Sequence, residues 1–190
     1  MNALAFSSFR PLTRQLQSDD AEILTQIFAP DVNLVSLQRQ PIPAIATYCR
    51  SLRLAMPIKR IVSTATLFAD IAAALPDAPG KAELLADITL QCDIFSCLMD
   101  CRQLGLRLET LSKPMCPKFH TDHLVCRQVC TYQGPGTQWQ GARQDELHQA
   151  RPFAITLLKG SGWEGNEKQA IVHRSPPSDV PRVLLTLDPM

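Results

Sequence analysis

The stretch 106-LRLETL-111 marks the point at which the hydrophobic period of the chain changes. Its leucines alternate with Arg107 and Glu109, and a period of two is typical of a strand with one face on a core. Further strand-like runs follow, separated by turns rich in glycine and proline: 124-LVCRQVCTY-132, 153-FAITLLKG-160, 170-AIVHR-174 and 182-RVLLTL-187. Many short strands of this kind predict a sandwich or barrel over residues 105–190.

Helical patterns dominate the chain before this change of period. Apolar side chains recur at three- and four-residue steps from Leu85 to Met99, which predicts a helix over 81–103 that stops near Gly105. Further helices are predicted over 19–28, 44–56 and most of 61–75, with a short strand over 32–37. We therefore expect an α+β fold in one compact unit. A mainly helical N-terminal part, residues 1–104, packs as a layer on the C-terminal β-barrel, residues 105–190.

Length and charge limit the classes of function. The chain has 190 residues, enough for one sizeable core, and a net charge of +1 with no basic stripe. This argues against nucleic acid as a partner. No apolar run approaches the length of a membrane span, and the first residues do not read as a signal peptide, so a cytoplasmic protein without membrane contact is expected.

The seven cysteines are interpreted as reduced thiols. Their number is odd and no CxxC pair occurs, so neither a disulfide framework nor a zinc ribbon is predicted. Cys97 and Cys101 share a face of the predicted helix with Asp93. They either pack against neighbouring elements or form a zinc clip with that aspartate.

The stretch 116-CPKFHTDH-123 carries the strongest chemical signal. His120 and Asp122 are two residues apart, so both side chains point to one side of an extended chain. His173, which follows an apolar run, is the best third ligand. Two histidines and one carboxylate on one face suit Fe(II) that binds a co-substrate and dioxygen, and zinc accepts the same donors. The alternative is a hydrogen-bonded His–Asp pair without metal.

Other residues are candidates for roles around such a metal. Arg182 opens a strand nine residues after His173 and either grips the carboxylate of a co-substrate or pairs with Asp179. Tyr132 is a candidate lining residue of the co-substrate pocket. The auxiliary candidates beside the metal are Cys116 and His123.

The order HxD, distal histidine and arginine resembles that of the 2-oxoglutarate-dependent oxygenases. This resemblance implies a double-stranded β-helix of the cupin or jelly-roll kind. It also implies a dioxygenase-like activity in which Fe(II) is held by His120, Asp122 and His173, and 2-oxoglutarate is held through Arg182. The substrate, a small molecule or a protein, stays open.

Four blocks of sequence resemble a bacterial family catalogued as domain of unknown function 1826. The blocks are 115-MCPKFHTDH-123, 131-TYQGPGTQW-139, 157-LLKGSGWEGN-166 and 172-VHRSPP-177 with 182-RVLLTLD-188. Several members of that family sit beside genes for zinc-handling GTPases. The resemblance therefore implies a second hypothesis, a zinc-binding accessory protein of metal homeostasis without turnover, with metal-handling proteins as partners. A third hypothesis is a metal-free barrel that works through protein contacts.

Overall fold

The computed structural model describes residues 13–63, 65–141 and 146–190, which form two β-sheets and a set of helices. The strands are β1 (Arg14–Ser18), β2 (Val32–Leu37), β3 (Ile58–Val62), β4 (Leu104–Leu111), β5 (Cys126–Gln133), β6 (Gln138–Gln140), β7 (Leu147–Gln149), β8 (Ile155–Lys159), β9 (His173–Arg174) and β10 (Arg182–Pro189). The helices are a 3₁₀ helix (Ala21–Phe28), α1 (Pro43–Ser51), α2 (Leu67–Ala72) and α3 (Lys81–Met99).

A seven-stranded sheet organises the fold, with strand order β1-β2-β8-β5-β10-β4-β3. Strands β1 and β2 are parallel, and the other neighbours are antiparallel. In its middle, Leu185 of β10 lies opposite Leu108 of β4 and Cys130 of β5. Three strands form a smaller antiparallel sheet of order β7-β6-β9. Since β10 pairs with β4 and β5, the last strand of the chain lies near the centre of the large sheet.

The two faces of the large sheet bury different cores. Leu185, Cys130 and Phe95 of α3 belong to the core on the helical side. Leu184 and Trp139 of β6 belong to a second core, which faces the small sheet. Leu184 and Leu185 are consecutive, so the alternation of side chains along β10 sends them to opposite faces. Every second side chain of β10, counted from Leu184 in either direction, therefore faces the space between the two sheets.

Helix α3 confirms the strongest helical prediction but ends earlier than expected. Its buried side chains include Leu84, Ile88 and Phe95, which lie on one side of the helix. The helix ends at Asp100, whose left-handed backbone (φ 47°) terminates the helical hydrogen bonds. Gly105, the predicted stop, lies within β4 instead. Asp100, a polar residue, therefore adopts the left-handed conformation at the end of the helix, where the prediction required a glycine.

The predicted helix over 61–75 is wrong in its first part. Residues 58–62 form strand β3, and the helix that follows, α2, covers only Leu67–Ala72. Ile58 and Val62 are the buried residues of β3, and a spacing of four fits a helix and a strand equally well. Pairing with β4 decides between the two, and this partner is distant in sequence.

The N-terminal half supplies strands as well as helices. Strands β1, β2 and β3 all belong to the large sheet, and β2 confirms the strand predicted over 32–37. The expectation of a mainly helical N-terminal layer is therefore not confirmed. The strands expected around 106–111, 124–132, 153–160 and 182–187 are present. Only two residues of the run 170–174 form a strand.

All seven cysteines are free thiols. Burial raises the pKa of the thiols of Cys49, Cys92, Cys126 and Cys130 to about 12, so these side chains behave as small apolar core residues. Cys97 and Cys116 are exposed. Among the helices of the described residues, none combines the length and apolar character needed to cross a membrane.

Candidate metal centre

The three side chains predicted as metal ligands lie together on the face of the large sheet that is turned toward the small sheet. One ligand atom from each of His120, Asp122 and His173 lies within 4.8 Å of the others. The Nε2 atom of His173 is 3.4 Å from Oδ2 of Asp122, and Nε2 of His120 is 3.8 Å from Oδ1. Both imidazoles therefore direct Nε2 at one carboxylate, as a shared metal ion requires.

A short backbone bridge holds the two histidines in register. The N–H of His120 donates to the carbonyl of His173 over 3.0 Å, and the reverse bond measures 2.9 Å. The two ring centroids are 4.5 Å apart. His173 is also paired with Trp139 across β6 and β9. The small sheet thus carries one ligand and fixes the loop that carries the other two.

The carboxylate ligand is positioned by a second loop, residues 160–162. The backbone N–H of Ser161 donates to the carbonyl of Asp122 over 2.8 Å, and the hydroxyl of Ser161 lies 2.9 Å from Nδ1 of His123. Gly160 lies so close that a Cβ there would approach the carbonyl oxygen of Leu124 to 2.0 Å. His123, an auxiliary candidate, therefore helps to fix this loop and is not part of the ligand cluster.

Replacing Gly160 with alanine should displace the Asp122 loop, because the added methyl group has no space against the Leu124 carbonyl. We expect metal affinity to fall by about 10- to 100-fold, the usual cost of disturbing the supports of a ligand. Competition with a chromophoric chelator measures this loss. Gly165→Asn is the control, because a Cβ at Gly165 would have no neighbouring atom within 4 Å and asparagine tolerates the positive φ of that position. Equal affinities in both variants would contradict the prediction.

The two histidines differ in the surroundings of Nδ1: that of His120 faces a carbonyl oxygen, and that of His173 has no hydrogen-bond partner among the described residues. Nδ1 of His120 lies 3.1 Å from the carbonyl oxygen of Lys118; a hydrogen bond donated by Nδ1–H to this oxygen leaves the Nε2 lone pair for a metal ion. His173 is only 6% exposed, and burial lowers its pKa to about 4 despite the nearby Asp122 carboxylate. His173 is therefore neutral at neutral pH, the form that a metal ion needs.

The lowered pKa of His173 makes the stability of the metal-free protein depend on pH. Between the ordinary histidine pKa and the lower folded value, the unfolded chain binds a proton that the folded protein excludes. Stability is therefore full above about pH 6.5 and falls as the pH drops toward 4, by about 1 to 3 kcal/mol from this group. Urea unfolding in chelator at pH 7 and pH 5 measures the change. His173→Gln should reduce the change in unfolding free energy between the two pH values, and His148→Gln should not. An equal change in both variants would contradict this prediction.

A bridging arginine contacts the proposed carboxylate ligand. Arg127 donates from Nη1 to Oδ2 of Asp122 over 2.9 Å. Its Nε and Nη2 atoms donate to the two oxygens of Asp188, over 2.7 and 2.8 Å. The guanidinium group thus joins a carboxylate of the site to one at the end of β10.

Arg182 is a buried cation that has no acidic partner in the part of the chain that the structure describes. It is 3% exposed, and its nearest acceptors are the hydroxyls of Ser175 and Thr131, at 3.3 and 3.4 Å. Among the described residues no carboxylate pairs with it, so the alternative pairing with Asp179 is not seen, and its Nε lacks an acceptor. Burial lowers its pKa to about 10, which leaves the group charged at neutral pH. An unpaired buried charge is costly, and an anionic ligand would offset that cost.

A small cavity of about 50 Å³ adjoins the ligand cluster, and one residue of its wall, Ser175, contacts Arg182. Its wall includes His120, His173, Ser175, Leu184 and Thr186. Ser175 is the residue that accepts a hydrogen bond from Arg182, and Leu184 follows Arg182 on the same face of β10. The volume equals that of one to two water molecules.

Of two further candidate residues, Cys116 lies at this cavity and Tyr132 does not. Cys116 lines it, and its carbonyl accepts a hydrogen bond from the N–H of Ser175 over 2.9 Å. Tyr132 is not brought to the site, because it points into the core on the helical side. Its hydroxyl donates to Asp87 over 2.7 Å and accepts from Gln91 over 2.8 Å. Tyr132 is therefore part of a buried hydrogen-bond network away from the ligands.

Sequence reasoning missed Arg127 and Asp188. A signal was present, because Arg127, Val129 and Thr131 alternate along one strand and therefore share a face. Nothing in the sequence indicated that this face, rather than that of Tyr132, is turned toward the metal ligands. The partner Asp188 lies 61 residues away and is brought near by the pairing of β10 with β5.

Comparisons with known proteins agree with this geometry. The family described as "Protein of unknown function (DUF1826)" matches residues 18–188. No curated protein matches the chain. In structure the chain is similar to the dioxygenase for auxin oxidation 1 from Arabidopsis thaliana, in a 2-oxoglutarate complex (TM-score 0.59, 8% identity, 94% of this chain and 92% of that chain). It is also similar to the rice dioxygenase for auxin oxidation (TM-score 0.50, 16% identity, 83% and 72%). The family match and the shared fold confirm both resemblances found in the sequence.

Proposed function

The chain belongs to the DUF1826 family, and we propose that it is a mononuclear non-haem Fe(II) enzyme of the 2-oxoglutarate-dependent oxygenase type. One observation carries this proposal. A His–Asp–His cluster, held by the small sheet and the loop beside it, lies next to the face of the large sheet that carries a buried arginine without an acidic partner among the described residues. The first is a binding group for a metal ion and the second is a binding group for a carboxylate.

The donor set fits ferrous iron. His120, Asp122 and His173 would hold the metal from one side, which leaves coordination positions for a chelating co-substrate and for dioxygen. Iron bound there supplies the activation of dioxygen that side chains alone cannot provide. The protein contributes two imidazoles and a fixed carboxylate. Zinc accepts the same donors, so a test of the proposal has to distinguish the two metals.

Arg182 would bind the distal carboxylate of 2-oxoglutarate. Its guanidinium group presents a planar fork that matches a carboxylate, and its present contacts with two hydroxyls are long and weak. Leu184 and Thr186 separate it from the metal ligands along about 13 Å of β10. The present cavity of about 50 Å³ is too small for the co-substrate. Binding of the co-substrate would therefore require this cavity to widen.

The two sheets are then the two faces of a double-stranded β-helix. The likeness to the auxin-oxidising dioxygenases supports this arrangement. All proposed ligands, from His120 to Arg182, belong to residues 105–190. The N-terminal residues contribute three strands and the helices that cover the other face of the large sheet.

An anaerobic titration tests the proposal. Metal-free protein receives Fe(II) and then 2-oxoglutarate while the visible absorption spectrum is recorded. We expect a charge-transfer band that requires both additions. His120→Ala should lack the band, and His148→Ala, which alters a histidine outside the cluster, should retain it. Succinate serves as the ligand control, because it has both carboxylates but lacks the keto oxygen needed for chelation.

Absence of the band in wild-type protein would contradict the oxygenase proposal. If the same preparation bound zinc stoichiometrically and lost it in His120→Ala, the site would be that of a zinc-binding protein without turnover. If neither metal bound, the His–Asp–His cluster would be a hydrogen-bonded group within a protein that acts through other contacts.

A further inference from the structure

The carboxylate of Asp122 has two oxygen atoms in different environments. Oδ2 accepts a hydrogen bond from Arg127 over 2.9 Å. Among the described residues no donor makes a hydrogen bond to Oδ1, which faces Nε2 of His120 at 3.8 Å. Oδ2 also lies 3.4 Å from Nε2 of His173, so each oxygen faces one histidine of the cluster, but among the described residues only Oδ2 accepts a hydrogen bond.

Arg127 is itself held in a fixed orientation. Its Nε and Nη2 atoms make a bidentate pair with Asp188, and only Nη1 is directed at Asp122. The three side chains are mostly buried, with exposures of 22%, 23% and 13% for Arg127, Asp188 and Asp122. Because the negative charge of Asp188 offsets the arginine charge, a divalent cation nearby is repelled less than it would be by a lone guanidinium group.

We infer that Arg127, anchored by Asp188, is a positioning residue that limits Asp122 to monodentate metal binding. A carboxylate released from this bond can turn and bind the metal through both oxygens. Bidentate binding would fill one of the positions that a chelating co-substrate and dioxygen need. The reason for keeping a coordination position open rests on the proposed function. The change in how Asp122 binds the metal can be measured with the metal alone.

The inference makes an unusual prediction for Arg127→Met. Loss of a purely structural ion pair would weaken metal binding and co-substrate binding together, in step with the loss of fold stability. Loss of the positioning bond would instead leave metal affinity equal or higher. It would weaken 2-oxoglutarate binding by about tenfold or more, in the range known for residues that orient metal ligands.

The test counts the water molecules on bound Mn(II) by proton relaxation and measures Mn(II) affinity in the same samples. Water exchange on Mn(II) reports open coordination positions and needs no co-substrate. The first variant is Arg127→Met. The second combines Arg127→Met with Asp188→Asn, and this double variant preserves the net charge of the site. Arg39→Met is the matched control, because Arg39 makes a similar bidentate pair with Asp87 away from the cluster.

We expect both Arg127 variants to lose about one bound water while keeping Mn(II) affinity. The Arg39 variant should keep the wild-type water count even if it is less stable. An unchanged water count in both Arg127 variants would overturn the inference, as would a loss of metal affinity that parallels the loss of stability. If Arg127→Met does not fold, Arg127→Lys replaces it, because lysine keeps the charge but lacks the planar fork that pairs with Asp188 while a third N–H reaches Asp122.

The outcomes also separate this inference from the proposed function. If wild-type protein binds Mn(II) but not 2-oxoglutarate, the oxygenase proposal fails, and the water count still decides the role of Arg127. If 2-oxoglutarate binds equally well to wild type and to both Arg127 variants, the oxygenase proposal stands and the positioning role is excluded.

Discussion

Replacing Asp122 with alanine should abolish stoichiometric binding of Fe(II) or zinc, with a loss of affinity greater than about 100-fold. The carboxylate lies between the two histidines and is the only anionic ligand of the three. Changes to residues that merely support a ligand already cost about 10- to 100-fold, so removal of a ligand itself should cost more. Without the carboxylate, the Arg127 charge would also face the metal without compensation from Asp122.

Competition against a chromophoric chelator, with each metal in turn, measures this loss. Glu146→Ala is the matched control, because Glu146 Oε1 lies 3.4 Å from Nε2 of His148, the same separation as between Asp122 and His173. Far-UV circular dichroism verifies that both variants fold. Metal affinity in Asp122→Ala within a few-fold of wild type would contradict the assignment of the metal centre.

Replacing Arg182 with methionine should stabilise the ligand-free protein and abolish 2-oxoglutarate binding. Burial lowers the arginine pKa from 12.5 to about 10, which corresponds to about 3 kcal/mol of cost in holding the charge inside the fold. Methionine fills most of the same space without a charge and loses only two weak hydrogen bonds. We therefore expect the free energy of unfolding to rise by about 1 to 3 kcal/mol.

Urea unfolding without ligand measures the stability, and the Fe(II)–2-oxoglutarate absorption band measures binding. Arg39→Met is the informative comparison. Arg39 is partly buried and paired with Asp87, so the same substitution leaves a buried carboxylate uncompensated and should destabilise by about 3 to 5 kcal/mol. Opposite signs for the two variants would distinguish a binding arginine from a structural one. Destabilisation of Arg182→Met to the same extent would contradict a ligand-binding role.

The same substitution has opposite expected effects because tertiary structure gives one arginine an acidic partner and leaves the other without one among the described residues. The sequence marked Arg182 as a candidate by its place at the start of a strand after His173. It left open whether the group grips a ligand or pairs with Asp179. Only the packing of β10 against its neighbours shows that the guanidinium group meets hydroxyls and no described carboxylate.

Local sequence was sufficient for the pair His120 and Asp122 and for most strands. The HxD spacing places His120 and Asp122 on one side of an extended segment wherever that segment lies in the fold. Strand β4, strand β10 and the core of helix α3 follow from periods of two and of three to four residues. These features depend on residues a few positions apart, so the sequence by itself determined them.

Pairing between segments that are distant in the sequence decided the other features of the fold and of the site. The strand at 58–62, the side of β5 on which Tyr132 lies and the contact between Arg127 and Asp188 all depend on register between segments far apart in the chain. A strand has two faces, and its own alternation shows which side chains share a face but not what that face meets. The sequence therefore identified the candidate ligands, and only the tertiary structure decided that His173 meets the other two and which other charges surround them.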